Sequence, residues 1–157
     1  MTSPDEMTII VDTREQAPYL FPCPTVRAKL DAGDYSVVGM ATRIAIERKS
    51  MTDAYGTFGG GRDRFEREIE RLCDLDYAAV VIEASMETML SFVAEVDAKA
   101  KREGKHGLSA KSFNASWIAW AQRYGVQFIF ADDRHMAQRQ TYLMLERFWR
   151  DVQDGKR

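Results

Sequence analysis

The run Ala78-Ala79-Val80-Val81-Ile82, at the centre of residues 77–83, is apolar at every position. A strand built from it has no polar face to turn to water, so it must be covered on both sides. A sheet around such a strand needs helices above and below it. The rest of the chain supplies both kinds of element. Residues 8–11 are a β-branched run, Thr-Ile-Ile-Val, ended by Asp12; residues 35–38 and 43–49 read as two strands joined across Gly39-Met40-Ala41-Thr42, and 126–130 as a last strand. Phe65, Ile69, Leu72 and Cys73 recur at helical spacing, as do Met89, Leu90, Phe92, Val93 and Val96. Two more stripes follow: Phe113, Trp117, Trp120, Ala121 and Tyr124, ending near Gly125, then Tyr142, Leu145, Trp149 and Val152. Pro18, Pro22 and Pro24 mark an irregular connector, and the glycine-rich residues 55–61 read as a loop. The order β, ββ, α, β, α, α, β, α predicts an α/β fold: one domain over residues 1–157, core about 8–152, with a mixed central sheet flanked by helices.

Charge excludes the simplest functional argument. The chain has 22 Lys and Arg against 24 Asp and Glu, a net charge of −2, so attraction to nucleic acid or membrane must come from local clusters. Cys23 and Cys73 form no CxxC pair and support neither a disulfide framework nor a zinc-thiolate site. The first eight residues, MTSPDEMT, are polar and acidic, unlike a signal peptide, and no stretch is long and apolar enough to span a bilayer. A cytoplasmic protein without a membrane partner is expected.

The informative chemistry lies between Gly33 and Asp53. The charged triplet Glu47-Arg48-Lys49 interrupts the apolar strand Ile44-Ala45-Ile46. Alternation places Glu47 and Lys49 on one face and Arg48 on the other. A turn centred between Met40 and Ala41 sets Val38 opposite Arg43 and Asp34 opposite Glu47. Two carboxylates directly opposite each other have Cβ atoms about 4.5–5.5 Å apart and repel. A cation would resolve that repulsion, and Mg²⁺ is commonly held by one or two carboxylates plus waters and phosphate oxygens. Lys49 then stands where it can serve a water or stabilise charge developing on phosphorus. Asp12, at the end of an apolar strand, is a further candidate oxygen ligand, and Glu15 a weaker one. The same residues have an ordinary reading: an Asp after Gly suits a turn, and Glu-Arg-Lys suits a solvated edge.

Gly33-Asp34, Glu47-Arg48-Lys49 and Asp53 resemble the GD, ERK and D signature of the XPF-type structure-specific endonuclease domain, within the wider D/ExK nuclease superfamily. Val11-Asp12-Thr13-Arg14-Glu15 resembles that family's VDxRE motif, and residues 61–68 its following helix. The resemblance implies a restriction-endonuclease-like core and metal-dependent hydrolysis of a DNA phosphodiester, on branched or flap-like DNA. It implies that Asp12, Asp34 and Glu47 hold Mg²⁺ or Mn²⁺ and that Lys49 serves the water. Arg48 and Asp53 would complete the site, with Arg14 and Glu15 as accessory residues. Alternation turns Arg48 from the metal face, so a salt bridge to Glu15 or Asp53 is its expected role. Eukaryotic and archaeal members usually carry a helix-hairpin-helix module after the nuclease domain. The 157 residues have no room for one, and the chain looks like a stand-alone domain of bacterial or phage type, placed at the nucleoid or in the host cytoplasm. Two other functions are weighed: an inactive DNA-binding scaffold of the same fold, against which the intact motif argues, and a small-molecule metal phosphohydrolase.

Several segments keep two readings. Arg62 and Arg64, after Gly59-Gly60-Gly61, either grip DNA phosphate at a helix start or belong to a solvated loop. Between residues 99 and 111 there are five basic residues against one acid, with Lys101, Arg102 and Lys105 in a basic loop that is either a DNA arm or a bare surface. Trp117, Trp120 and Tyr124 are expected in the core rather than stacked on bases. His106 and His135 are expected at the surface, and Cys73 as a small buried hydrophobe. The final helix, with Phe148 beside Trp149, has enough apolar surface to pack on the sheet or to pair two copies of the chain.

Overall fold

The computed structural model describes residues 6–157, so the polar residues 1–5 at the N-terminus lie outside the described residues. The doubly buried run becomes β5 (Tyr77–Ile82), flanked on both edges by parallel neighbours. The sheet has six strands in the order β2-β1-β3-β4-β5-β6, with β1 (Ile9–Asp12), β2 (Thr25–Ala28), β3 (Tyr35–Val37), β4 (Ile44–Lys49) and β6 (Gln127–Phe130). β3 runs antiparallel to both β1 and β4, and the other pairs are parallel, so the sheet is mixed as expected. Five helices complete the chain: α1 (Met51–Phe58), α2 (Arg62–Cys73), α3 (Met86–Arg102), α4 (Ala110–Tyr124) and α5 (Arg134–Gln153). Among the described residues, no helix is long and apolar enough to cross a membrane.

Alternation along the strands divides the core into two layers. Ile9, Val11, Tyr35, Ile44, Ile46 and Val81 pack with Leu145 and Phe148 of α5. Ala45, Ala78, Val80 and Ile82 face the opposite layer, with Phe58, Phe65, Ile69, Met89, Phe113 and Trp120 of α1–α4. Phe58 anchors that layer, its ring 4.4 Å from Phe113 and 5.1 Å from Trp120 by centroid. Trp117 and Tyr124 join the same cluster, so this aromatic stripe is core. Serine or aspartate oxygens cap α1, α3, α4 and α5 at Ser50, Ser85, Ser109 and Asp133, and α4 stops at Gly125 in the left-handed conformation.

Four expectations are corrected. Residues 55–61 are not all loop: Ser50 accepts from the Asp53 amide, and Ala54 and Phe58, one helical turn apart, bury the inner face of α1 despite Gly56. Only Gly59–Gly61 turns. The proline connector contains β2, an exposed edge strand whose start is tied by the Ile9 amide donating to the Pro24 carbonyl. Lys101 and Arg102 lie in the last turn of α3 rather than in a loop. Cys73 is exposed, because α2 buries Leu72 and turns the next residue outward.

Candidate active site

The site begins with strand register. Tyr35 pairs with Ile46, the register predicted from the turn, and the Asp34 amide donates to the Ile46 carbonyl at 2.9 Å. The Arg48 amide in turn donates to Asp34 Oδ2 at 2.7 Å, so the Asp34 carboxylate is fastened to the end of β4. Gly33 makes this crossing possible. Its φ is +74°, and a Cβ there would lie 2.9 Å from Ala45 Cβ and 3.2 Å from the Ile46 carbonyl oxygen.

Because Ala45 faces the α1–α4 layer, Glu47 and Lys49 face it too, and Lys49 Nζ lies 3.4 Å from Glu47 Oε1 and 5.0 Å from the Phe65 ring centroid. Burial pushes the Asp34 carboxyl up to about 6. Burial, then repulsion from Asp34, pushes Glu47 up to about 8, with Lys49 opposing. Both acids therefore keep their protons to higher pH than free carboxyls, and a further positive charge beside them favours their ionisation.

Asp12 behaves differently. Its Oδ1 accepts from the amide and Nε of Arg14 at 2.9 and 2.8 Å, and its Oδ2 accepts from the Leu30 amide at 2.7 Å. Burial alone would raise this carboxyl, but these donors outweigh it and hold the group below the ordinary aspartate value. The Asp12 carboxylate thus takes three protein donors, and Arg14 carries that connection towards the cavity where Asp34 and Glu47 lie.

Arg48 projects to the α5 face. Its Nε donates to Glu83 Oε1 at 2.6 Å and its Nη1 to Glu15 Oε1 at 3.1 Å, and the guanidinium lies 5.4 Å from the Tyr19 ring centroid. The expected Glu15 contact is present. Asp53 is not a partner; Glu83 takes that place, with Arg134 behind it. Asp53 instead sits exposed on α1, lining with Glu15, Asp34, Glu47 and Lys49 a cavity of about 420 Å³. Two cavities adjoin it. One, of about 190 Å³, is bounded by Arg14, Gly33, Asp34, Glu47 and Glu68, and the other, of about 450 Å³, by Lys49, Asp53, Arg64, Phe65 and Glu68.

Glu68 and Glu83 are not among the site residues that the motifs mark in the sequence. Alternation alone points to Glu83: it follows β5, whose Val81 is paired with Arg48, and period two returns it to Arg48's face. Glu68 flanks the buried stripe of α2, three residues after Phe65, and its charge adds to the rise at Glu47.

The basic residues divide. Arg62 Nη1 donates to Ser116 Oγ and the guanidinium lies 4.6 Å from the Trp120 ring centroid, so it ties α2 to α4. Arg64 is exposed and lines the cavity beside Lys49. Lys101 pairs with Asp97 and Lys105 with Glu103, whereas Arg102 is exposed without an ion pair among the described residues. His106 and His135 are exposed, as expected. Phe148 is buried against the sheet and Trp149 packs beside that core, leaving Leu143 as the exposed large apolar residue of α5.

A mixed sheet with helices on both faces, bearing two acids and a lysine at the ends of adjacent central strands, has the restriction-endonuclease-like nuclease fold. Comparison supports that class: XPF from Aeropyrum pernix superposes with a TM-score of 0.66 at 17% identity, over 95% of this chain and 68% of the other. XPF from Aeropyrum pernix in complex with DNA superposes at 0.61 and 19% identity, over 94% of this chain and 66% of the other. No curated protein matches the chain. The family model of the ERCC4 domain matches residues 11–144, and the chain belongs to that family of nuclease domains.

Proposed function

We propose that the chain is a Mg²⁺- or Mn²⁺-dependent DNA endonuclease domain that hydrolyses phosphodiester bonds in branched or flap-like DNA. The observation that carries this reading is the shared face of Asp34, Glu47 and Lys49, with both carboxyls pushed up and open to one cavity. Among the described residues no three His, Cys, Asp or Glu side chains converge into a ready-made cage. A carboxylate pair nevertheless suits Mg²⁺, which keeps several waters and takes substrate phosphate oxygens as ligands. The cation would be held by Asp34 and Glu47, and when bound it supplies Lewis acidity and lowers the pKa of a water.

The chain's own residues divide the remaining work. Lys49 orients the attacking water and faces the negative charge that develops at phosphorus. Asp53 bounds the same space. Asp12 anchors Arg14 and the Leu30 backbone beside it, which gives it a supporting role in place of the direct ligation expected from the resemblance. Arg48, held by Glu83 and Glu15, keeps the end of β4 oriented from the opposite face. The family match and the DNA-bound structural relative support DNA as substrate. Of the basic residues named in the sequence for gripping DNA, Arg64 and Arg102 are exposed without an ion pair among the described residues, and pairing of two copies through α5 around Leu143 belongs to the same reading.

Labelled duplex, flap and fork DNAs incubated with Mg²⁺, Mn²⁺ or EDTA test the proposal. Cutting of a branched substrate in either metal, lost in EDTA and in Asp34→Ala, is expected. Failure of the wild type to cut in both metals overturns it.

The raised carboxyls also predict a stability signature. The folded state holds protons that the unfolded chain releases near pH 4, so without metal stability falls as pH rises from about 4 through the folded values of about 6 and about 8. Melting in EDTA is expected to occur at a lower temperature at pH 8 than at pH 6. Mn²⁺ should raise Tm more at pH 8, and Glu47→Gln should remove most of both differences, because the group raised to about 8 dominates this range. A Tm that does not depend on pH across this range would count against the buried carboxylate pair.

A further inference from the structure

Most of the glycines near the site have structural reasons. Gly33 needs its positive φ and close approach, and a Cβ at Gly59 or Gly61 would come within 3.3 Å of the Tyr55 or Gly56 carbonyl oxygen. Gly56 and Gly60 have none. Neither has a left-handed backbone, and a Cβ at either would meet nothing within 4 Å. Gly56 even lies inside α1, where glycine is a poorer choice than alanine. Open space over a backbone that tolerates a side chain is what close approach of a ligand to the main chain requires.

These two glycines lie along a continuous surface. Gly56 lines both the cavity of about 450 Å³ that holds Lys49 and Arg64 and a second one of about 390 Å³, which Gly60, His106 and Gly107 also line. The second cavity reaches Ser112 in the first turn of α4, a turn with no acidic residue and with Lys111 exposed beside it. The Ser109 cap leaves other amides of that turn directed outward. Each cavity falls in the size range of small-ligand sites. Asp53 and Glu68 line the first as well, so an anion there is held by specific contacts to Lys49 and Arg64 rather than by net charge.

We propose that this glycine-floored surface, from Lys49 over Gly56 and Gly60 to His106 and the start of α4, is the track of one DNA strand continuing from the cleavage site. The proposal rests on the endonuclease reading above. The absence of side chains at Gly56 and Gly60 lets the sugar-phosphate chain lie close against the backbone, with Arg64 at one end and His106 and Lys111 at the other.

Gly56→Leu and Gly60→Leu test it, with three readouts on the full chain: Tm, the Tm rise caused by Mn²⁺, and the Kd of a labelled fork with single-stranded arms, measured by fluorescence anisotropy in EDTA. Tm is expected to match the wild type for Gly60→Leu and to match or exceed it for Gly56→Leu, a better helix former, with the Mn²⁺ effect unchanged, while the Kd for the fork rises at least about fivefold in one or both variants, as loss of close backbone contacts implies. A rise of less than about fivefold in both variants overturns the track, being within the spread of ordinary single-site effects. So does a leucine variant that fails to fold, because the premise is open space at both positions. A wild type that binds no fork overturns the endonuclease reading together with the track. Wild-type binding with unaffected variants overturns the track alone.

Discussion

Lys49→Ala is expected to slow single-turnover cleavage of a branched DNA by ~10²–10⁴-fold, the range for loss of a positioned acid–base group. Lys49 reaches the site because Ala45 and Glu47 alternate onto the α1–α4 face ahead of it, and its stem is held over Phe65. Its ammonium contacts Glu47, so the variant also loses a charge that opposes the rise of the Glu47 carboxyl. Cation binding is a separate readout. Removing one positive charge beside the carboxylate pair leaves the Mn²⁺-induced rise in Tm in place at pH 8. Lys49→Arg keeps the charge but adds a planar, always protonated head, and is expected to recover only a minor part of the rate. Cleavage by Lys49→Ala within about tenfold of wild type would remove the lysine from the chemistry, since it falls below the acid–base range.

Gly33→Ala is expected to cost ~2–4 kcal/mol, the sum of a left-handed backbone at a residue with a Cβ and of overpacking against β4. For a chain of this size that corresponds to a Tm lowered by roughly 5–10 °C. The clash is with Ala45 Cβ and the Ile46 carbonyl oxygen, the same carbonyl that accepts from the Asp34 amide. Relief requires the β3 end to move away from β4, carrying Asp34 from Glu47, so the variant should also lose the Mn²⁺-induced stabilisation. Gly39→Ala is the control. Its φ is +82° but a Cβ there meets nothing, so only the conformational cost of ~1–2 kcal/mol applies. Equal losses in the two variants would show that close approach contributes nothing at Gly33.

Much of the site is legible in the sequence because strands have period two and hairpin register follows from the turn. Those two rules placed Asp34 opposite Glu47, joined Lys49 to Glu47, and turned Arg48 to the far face. Helical stripes located α2 to α5, although the apolar content of Cys73 did not reveal that α2 turns it outward. α1 and β2 escaped for opposite reasons. α1 contains Gly56 and two threonines, and its only strong signals are the Ser50 cap and the Ala54–Phe58 spacing. β2 is an exposed edge with no buried face to impose alternation.

What the sequence by itself determined is the layer order and the chemistry of one strand end: an unbroken apolar run that needs helices on both sides, and an acid, a base and a second acid brought to one face by local geometry. Only the tertiary structure decided which charges are already spent. Asp12 is filled by Arg14 and Leu30, Arg62 by Ser116 and Trp120, and Arg48 by Glu83 and Glu15, whereas Arg64 stands open at the cavity. The physical reason is range. Alternation acts between neighbours a few residues apart, and the Asp12–Arg14 contact is equally local, but the other partners are set by how whole elements pack, across separations of 18, 54 and 35 residues.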